Sequence, residues 1–336
     1  MPTFAATDLA AWTGGRWTTA PAAVAGFGTD TRTLGAGEAF VAIRTDRRDG
    51  HDFLPDARAR GAACALVSRP VADPLPQLVV ADPAAALRAI AAAWRRRFAG
   101  PVVGVTGSVG KTSTKDLLAA LLGPTAFATE ANLNNLLGVP LMLLRLEPAR
   151  HRYAVIEAGM SVPGELGVSA AVLRPDVAIV TAVAAVHLEG VGSLAGVARE
   201  KATLVAALAE GGRAILPAAL LAWPDFAVHA DRCLAVRFAG EPAPAVRPAR
   251  LVEASLGEEA GRRVLRLDGE TFPLGAVSDG LARNAALALL AAREVGADLP
   301  SLRTALVAWS PPVGRGSVHA DGARTFYVDC YNSSPA

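Results

Sequence analysis

The chain has 336 residues, room for two or three domains each with its own core. Its 33 Lys and Arg against 31 Asp and Glu leave a formal charge of +2, which excludes a nucleic-acid binder that works by neutralising phosphates and a polybasic membrane anchor. Hydrophobic residues make up 52%, with alanine the largest contributor, yet charges interrupt every apolar run before it reaches the length of a membrane span. The start, MPTFAATDLAAW, has no basic stretch ahead of its apolar residues and carries Asp8, which predicts no secretory leader. Cys64, Cys233 and Cys330 are odd in number and far apart, without metal-ligand or CxxC spacing, as expected in a reducing cytoplasm.

In chain order, residues 1–98 read as a small α/β domain. A strand-like AFVAI (39–43) enters a loop of charges and glycine, RTDRRDGHDF (44–53). A helix over DARARGA, a short strand CALVS (64–68), a proline-punctuated stretch and a helix from Pro83 to Phe98 follow. From Ala99 the grammar changes. VVGVTG, AFATE, YAVIEAG, VAIVTAV and RAILPA are Val- and Ile-rich runs separated by helical stretches, the pattern of a mostly parallel, doubly wound sheet over 99–313. Residues 233–275 look hairpin-like, and helices are expected at 281–295 and 299–308. After Pro311-Pro312 comes GRGSVHADG, then a strand FYVDCY (326–331). Residues 314–336 read as the truncated beginning of a third domain, so the chain is expected to be a fragment of a longer protein.

Lysine occurs only at 111, 115 and 201, and every other basic residue is arginine. Asparagine occurs only at 132, 134, 135, 284 and 332. A GC-rich genome accounts for the scarcity, and a surviving lysine then stands where arginine does not serve. GVTGSVGKTSTKDLLAALL (104–122) sets glycines, a lysine and hydroxyls between a strand and a helix. Such a loop lets backbone N–H groups of residues 107–113 (Gly107, Ser108, Val109, Gly110, Lys111, Thr112, Ser113) wrap a phosphate at a helix N-terminus. Lys111 would reach the β/γ-phosphates of ATP and the Thr112 hydroxyl would ligate Mg²⁺. Val105 breaks the common G-x-x-x-x-G-K-[ST] spacing, and Gly104, Gly107 and Gly110 give G-x-x-G-x-x-G-K-T instead. Lys115, one turn on, reads as a solvated helix residue.

Glu157 ends the run YAVIEAG, and His187 follows VAIVTAV. At the C-terminal edge of a doubly wound sheet both would lie beside the phosphate loop, either as ligands of a second Mg²⁺ or as a polar strand end and a hydrogen-bonded loop histidine. Lys201, on the amphipathic SLAGVAREKATLVAAL, is either one more solvated charge or a lysine that must lose its proton, for example to take up CO₂ as a carbamate. Three of the five asparagines crowd into ANLNNLLGVPLMLLRL (131–146), more than helix N-caps account for.

Together and in this order, GVTGSVGKTSTKD, ANLNNLLGVPLMLLRL, IEAGMSVPGEL, GVGSLAGVAREKATL, VDCYNSSP and the N-terminal DTRTLGAGEAFVAIRTDRRDGHDF (30–53) resemble the Mur ligases over nearly the whole chain. The resemblance implies an N-terminal UDP-MurNAc-peptide domain, a central ATP-binding domain and a Rossmann-like third domain. The segments 131–146 and 328–335 are most similar to the ligase that joins D-Ala-D-Ala to UDP-MurNAc-tripeptide through an acyl phosphate. A neighbouring Mur ligase, a folylpolyglutamate-synthase-like enzyme and a non-catalytic nucleotide-binding module are the rivals.

Position by position, the resemblance implies that Lys111 and Thr112 serve ATP and Mg²⁺. Glu157, His187 and a carbamylated Lys201 would hold a second metal. Asn284 would contact adenine, beside Arg283 where family members usually have histidine. Arg315 would meet the γ-phosphate and Asp329 the ribose. Asn134 and Asn135 would face the cleft, and Asp30, Thr31 and Arg32 would line the UDP-sugar site. A cytoplasmic location follows from the cysteine usage, and a monomer is the default expectation.

Overall fold

The computed structural model describes residues 2–185, 188–312, 314–322 and 324–329, which form two compact units. One holds residues 1–99 with 131–150, the other 100–130 with 151–336. The chain leaves the second unit for residues 131–150, a stretch that the sequence pattern alone ran together with its neighbours on both sides.

The first unit is built on five strands, β1 (Arg16–Trp17), β2 (Phe27–Gly28), β3 (Ala39–Val41), β4 (Cys64–Val67) and β5 (Gln77–Val79), in the order β1-β5-β4-β3-β2. All pair in parallel except β1, which runs antiparallel to β5. Helices α1 (Ala6–Thr13), α2 (Leu54–Ala59) and α3 (Pro83–Arg95) cover it. α3 starts cleanly because the Asp82 carboxylate accepts from the Ala84 N–H and Pro83, which has no N–H to satisfy, takes the first helical position.

The second unit opens with β6 (Val102–Thr106), α4 (Lys111–Leu122) and β7 (Ala126–Ala128). The chain then forms α5 (Gly138–Leu144), which packs on α3 in the first unit, where the Trp94 indole N–H donates to the Leu146 carbonyl at 2.9 Å. It returns as β8 (Tyr153–Glu157), α6 (Glu165–Leu173), β9 (Val177–Val180), α7 (Leu188–Val191), α8 (Leu194–Ala206), β10 (Arg213–Pro217), α9 (Pro224–Ala227) and β11 (Cys233–Phe238). Of the segment 233–275 expected to be hairpin-like, only β12 (Arg250–Glu259), β13 (Arg262–Leu267) and β14 (Glu270–Pro273) pair antiparallel, whereas β11 runs parallel to both β10 and β12; α10 (Asp279–Glu294) and α11 (Leu299–Ala308) follow.

These strands form one sheet in the order β14-β13-β12-β11-β10-β9-β6-β8-β7, parallel from β12 to β7 and antiparallel across the last two pairs. Val103 and Val105 on one face of β6 pack with Leu117 and Leu118 of α4 and the Ala/Leu face of α10. On the other face a Cβ at Gly104 would come within 2.9 Å of Leu173 and 3.2 Å of Leu204, so α6 and α8 approach there. Helices therefore cover both faces, and the strands, buried on both sides, read as unbroken apolar runs rather than alternating ones. A short antiparallel hairpin, β15 (Ser317–Asp321) and β16 (Arg324–Val328), follows α11, and Ser317 bridges to Val277 just ahead of α10.

Candidate active site

Because β6 pairs with β8 on one side and β9 on the other, the strand order reverses at β6, and the crevice beyond its C-terminal end is where ligands bind in such sheets. The loop 107–110 closes that end. Gly107 has φ +153, and a Cβ there would fall 1.8 Å from the Thr181 hydroxyl. Gly110, the residue before α4, has φ +80, and its Cβ would fall 2.6 Å from the Asn284 amide nitrogen. Both positions demand glycine, by conformation and by space. Gly104 is different: it is a strand residue that admits two helices, not part of the phosphate wrap.

The loop is tied to the chain after β9. The Ser108 N–H donates to the Ala182 carbonyl at 2.8 Å, and the Ser108 hydroxyl donates to the Ala184 carbonyl and accepts from the Ala184 N–H. The Thr181 hydroxyl donates to the carbonyls of Thr106 and Val109. The Lys111 ammonium donates to the carbonyls of Gly107 at 2.7 Å and Ser108 at 3.3 Å. Burial lowers it below the usual lysine range; the Glu157 carboxylate opposes this and the Arg315 guanidinium adds to it.

A pocket of about 720 Å³ opens on this loop. Its wall includes Ser108, Val109, Gly110, Lys111, Thr112 and Ser113, and also Asn284, Arg315 and Asp329. The residues expected from sequence to serve ATP, Gly107 apart, thus share one cavity although they span more than 200 positions. The sequence did not single out Thr181, Phe238, Glu241 or Ser278, which line it as well. Thr181 carried a usable signal, as the first residue past an apolar strand. Phe238 and Glu241 carried none. The Arg283 guanidinium lies 4.4 Å from the Phe238 ring centroid and pairs with Glu241, so the position next to Asn284 is a stacked, ion-paired arginine.

Glu157 ends β8, 1% exposed. Lys201 lies on α8, 2% exposed, with its pKa brought down to about 7 by burial first and by the Lys111 charge second, against the pull of Glu200. It is not a solvated charge. Neighbouring Glu200 accepts from the N–H groups of Gly164 and Leu166, capping α6. His187 lies outside the described residues. Among the described residues no three His, Cys, Asp or Glu side chains come together as a metal cluster.

Lys115 departs from expectation. It is 5% exposed rather than solvated, because its ammonium is turned inward onto the Thr129 carbonyl at 2.9 Å and the Asp116 carboxylate. In the first unit, Asp30 and Arg32 form an exposed ion pair at 2.6 Å, beside Thr31 in the turn after β2. The hydrogen bonds from the Arg32 side chain and N–H hold the Asp30 carboxyl down at about 2. Asn134 and Asn135 also belong to that unit, where the Asn135 side chain accepts from the Leu137 and Gly138 N–H groups at the start of α5. That is the capping role.

A doubly wound sheet with a phosphate loop at its switch point defines a P-loop α/β protein of the nucleotide-binding type. Two family models match, the Mur ligase middle domain over residues 105–292 and the Mur ligase family catalytic domain over residues 23–95. The chain belongs to the Mur ligase family. It is 48% identical over 193 residues to the UDP-N-acetylmuramoyl-tripeptide–D-alanyl-D-alanine ligase of Escherichia coli strain K12, covering 56% of this chain and 42% of that one. It superimposes on MurF from Acinetobacter baumannii with a TM-score of 0.86 at 28% identity, covering 100% of this chain and 74% of that chain. On MurF ligase from Thermotoga maritima, solved in complex with ADP, the TM-score is 0.76 at 26% identity, over 92% of this chain and 72% of that one. The chain spans less than half the length of the E. coli ligase that it matches. No described helix is long and apolar enough to cross a membrane.

Proposed function

We propose that this chain carries the ATP-dependent ligation of D-alanyl-D-alanine to UDP-MurNAc-tripeptide, the reaction named for its E. coli relative. The observation that carries the reading is the single cavity shared by the phosphate loop, Asn284, Arg315 and Asp329, with buried Lys201 close enough to Lys111 to feel its charge.

Joining a carboxylate to an amine in water runs uphill, so the carboxylate must first be activated. An oxygen of the tripeptide's terminal carboxylate attacks the γ-phosphorus of ATP, the bond to the ADP oxygen breaks, and an acyl phosphate results. The D-Ala-D-Ala amine then attacks the acyl carbon and loses a proton, and inorganic phosphate leaves as the amide forms. The N–H groups of 107–113 and the Lys111 ammonium would hold the phosphates, and Arg315 would face the charge gathering on the γ-phosphoryl group. Asn284 would meet adenine beside the Arg283–Phe238 stack, and Asp329 the ribose.

The donor set suits Mg²⁺ on one condition. The Thr112 hydroxyl and the Glu157 carboxylate are oxygen donors, as this ion prefers, but a Lys201 ammonium would repel it. With a pKa of about 7, Lys201 keeps a share of neutral amine that can add CO₂ and lose a proton, giving a carbamate with anionic oxygens. Thr112 would then hold one Mg²⁺, and Glu157, carbamylated Lys201 and His187 a second; the ions would supply charge neutralisation at the transferring phosphoryl group. In the first unit, Asp30, Thr31, Arg32, Asn134 and Asn135 would serve the UDP-sugar peptide. The reading carries a cytoplasmic location and a monomer.

The test is phosphate release by the 336-residue chain with ATP, Mg²⁺, UDP-MurNAc-tripeptide and D-Ala-D-Ala, each omitted in turn. Release that requires both acceptor and amine is expected. Absence of release, with ADP still bound, would mean that these residues bind nucleotide but do not by themselves suffice for ligation.

A further inference from the structure

Lys115 has a chemical task that neither helix propensity nor solvation explains. It sits one turn past Lys111 on α4, and its ammonium is withdrawn from water. A buried ammonium is costly unless its protons are taken up, and two acceptors do so here: the Thr129 carbonyl and the Asp116 carboxylate. Thr129 is itself 2% exposed and bonded to β8 at two points. Its N–H donates to the Val155 carbonyl at 3.1 Å, and its hydroxyl accepts from the Glu157 N–H at 2.8 Å. A continuous run of hydrogen bonds therefore leads from the phosphate-loop helix to the backbone of the one carboxylate that ends β8.

The place of Thr129 in the chain sharpens the point. Two residues later the chain leaves for the other unit at Ala131, a non-glycine residue held at φ +48. Such a conformation persists only where the surroundings over-determine it. Freed from Lys115, the stretch 129–131 could relax that strain by drawing the Thr129 hydroxyl away from Glu157. A compact three-donor ammonium suits one carbonyl and one carboxylate in a narrow helix–strand gap, whereas the planar guanidinium fork does not. That accounts for a lysine here in a chain that otherwise spends arginine.

We propose that Lys115 is a positioning residue for Glu157, acting through Thr129, so that the carboxylate is held at one depth beside the phosphate loop. The proposal rests on the reading of Glu157 as a Mg²⁺-facing carboxylate. The experiment measures ADP binding by the 336-residue chain over a range of Mg²⁺ concentrations and in EDTA, together with hydrogen exchange at the Glu157 amide. Lys115→Met and Thr129→Val should each raise the Mg²⁺ needed for half-maximal tightening roughly tenfold, the usual penalty for losing an outer-shell partner. ADP affinity in EDTA should stay within about twofold and the Glu157 amide should exchange faster, while Thr129→Ser, which keeps the hydroxyl, should restore both. The double variant should be no worse than either single one, because both cut the same chain of bonds.

Should Lys115→Met fail to fold, the Thr129→Val and Thr129→Ser pair decides. Variants that lose thermal stability but keep the wild-type Mg²⁺ dependence would overturn the positioning role. If Glu157→Gln shifts the Mg²⁺ dependence and the other variants do not, this proposal alone falls. If Glu157→Gln shifts nothing, the metal reading of Glu157 falls and the proposal with it.

Discussion

The two units treat charge in opposite ways at the ends of their parallel strands. After β2 in the first unit, Asp30 and Arg32 bond to each other in the open, with the Arg32 side chain 84% exposed. In the second unit the cations are lysines drawn inward: after β6, Lys111 onto loop carbonyls and Lys115 onto Thr129, and on α8 the buried Lys201. A buried polar contact of the first unit is also a different device. The His51 ring, 2% exposed, pairs with Asp49 at 2.5 Å and accepts the Ser68 N–H at 2.9 Å, pinning the 44–53 loop to β4 without burying a lone charge. Exposed pairs in high dielectric are worth little, whereas a buried ammonium depends on each partner and has its proton affinity set by them. The difference teaches where sensitivity to substitution should concentrate.

The largest expected effect is at Lys111. Lys111→Ala removes the cation in contact with the phosphate loop and should lower phosphate release by roughly a hundredfold or more, the scale of losing one aimed donor; activity within a few-fold of wild type would break the comparison outright. Lys201→Ala should also abolish release, and a small added carboxylic acid should restore part of it by supplying the missing oxygens. A fully active Lys201→Arg would sink the carbamate. Gly110→Ala forces a side chain into φ +80 against Asn284, so it should cost about 1–2 kcal/mol in chemical denaturation and weaken ADP binding as well.

Protonation gives a subtler test. In the unfolded chain Lys201 keeps its proton up to its ordinary 10.5, but in the folded chain it loses it above about 7. Between those values the unfolded state binds more protons, so stability should rise with pH across the window. Denaturation midpoints of Lys201→Met should lack that share of the rise; equal slopes in both proteins would show that Lys201 titrates normally. At the small end, Arg32→Ala should leave the thermal midpoint unchanged, since its pair is solvent-screened. A clear drop there would mean the two units differ less than the exposures indicate.

Much of the fold was legible because its signals are local. Runs such as VAIV and VVGVT declare strands buried on both faces, and Gly107, Gly110, Lys111 and Thr112 declare a strand–loop–helix turn within a few residues. Other features depend on partners far along the chain. Lys115 looks like any lysine on a helix until Thr129, fourteen positions on, supplies its acceptor. That the Asn135 side chain accepts from the Leu137 and Gly138 N–H groups ahead of α5 is likewise visible only in the folded chain. Phe238 and Glu241 become pocket residues only because β11 ends beside α10, where Arg283 stacks and pairs with them.

The sequence by itself determined the alternating α/β architecture, the phosphate loop and the family, since periodicity and short motifs record constraints between near neighbours. Tertiary structure alone decided which lysines are buried, how far Lys201 is driven toward neutrality, and which distant side chains complete the cavity. Desolvation and hydrogen-bond satisfaction depend on what surrounds a group in space, and spacing along the chain does not encode that.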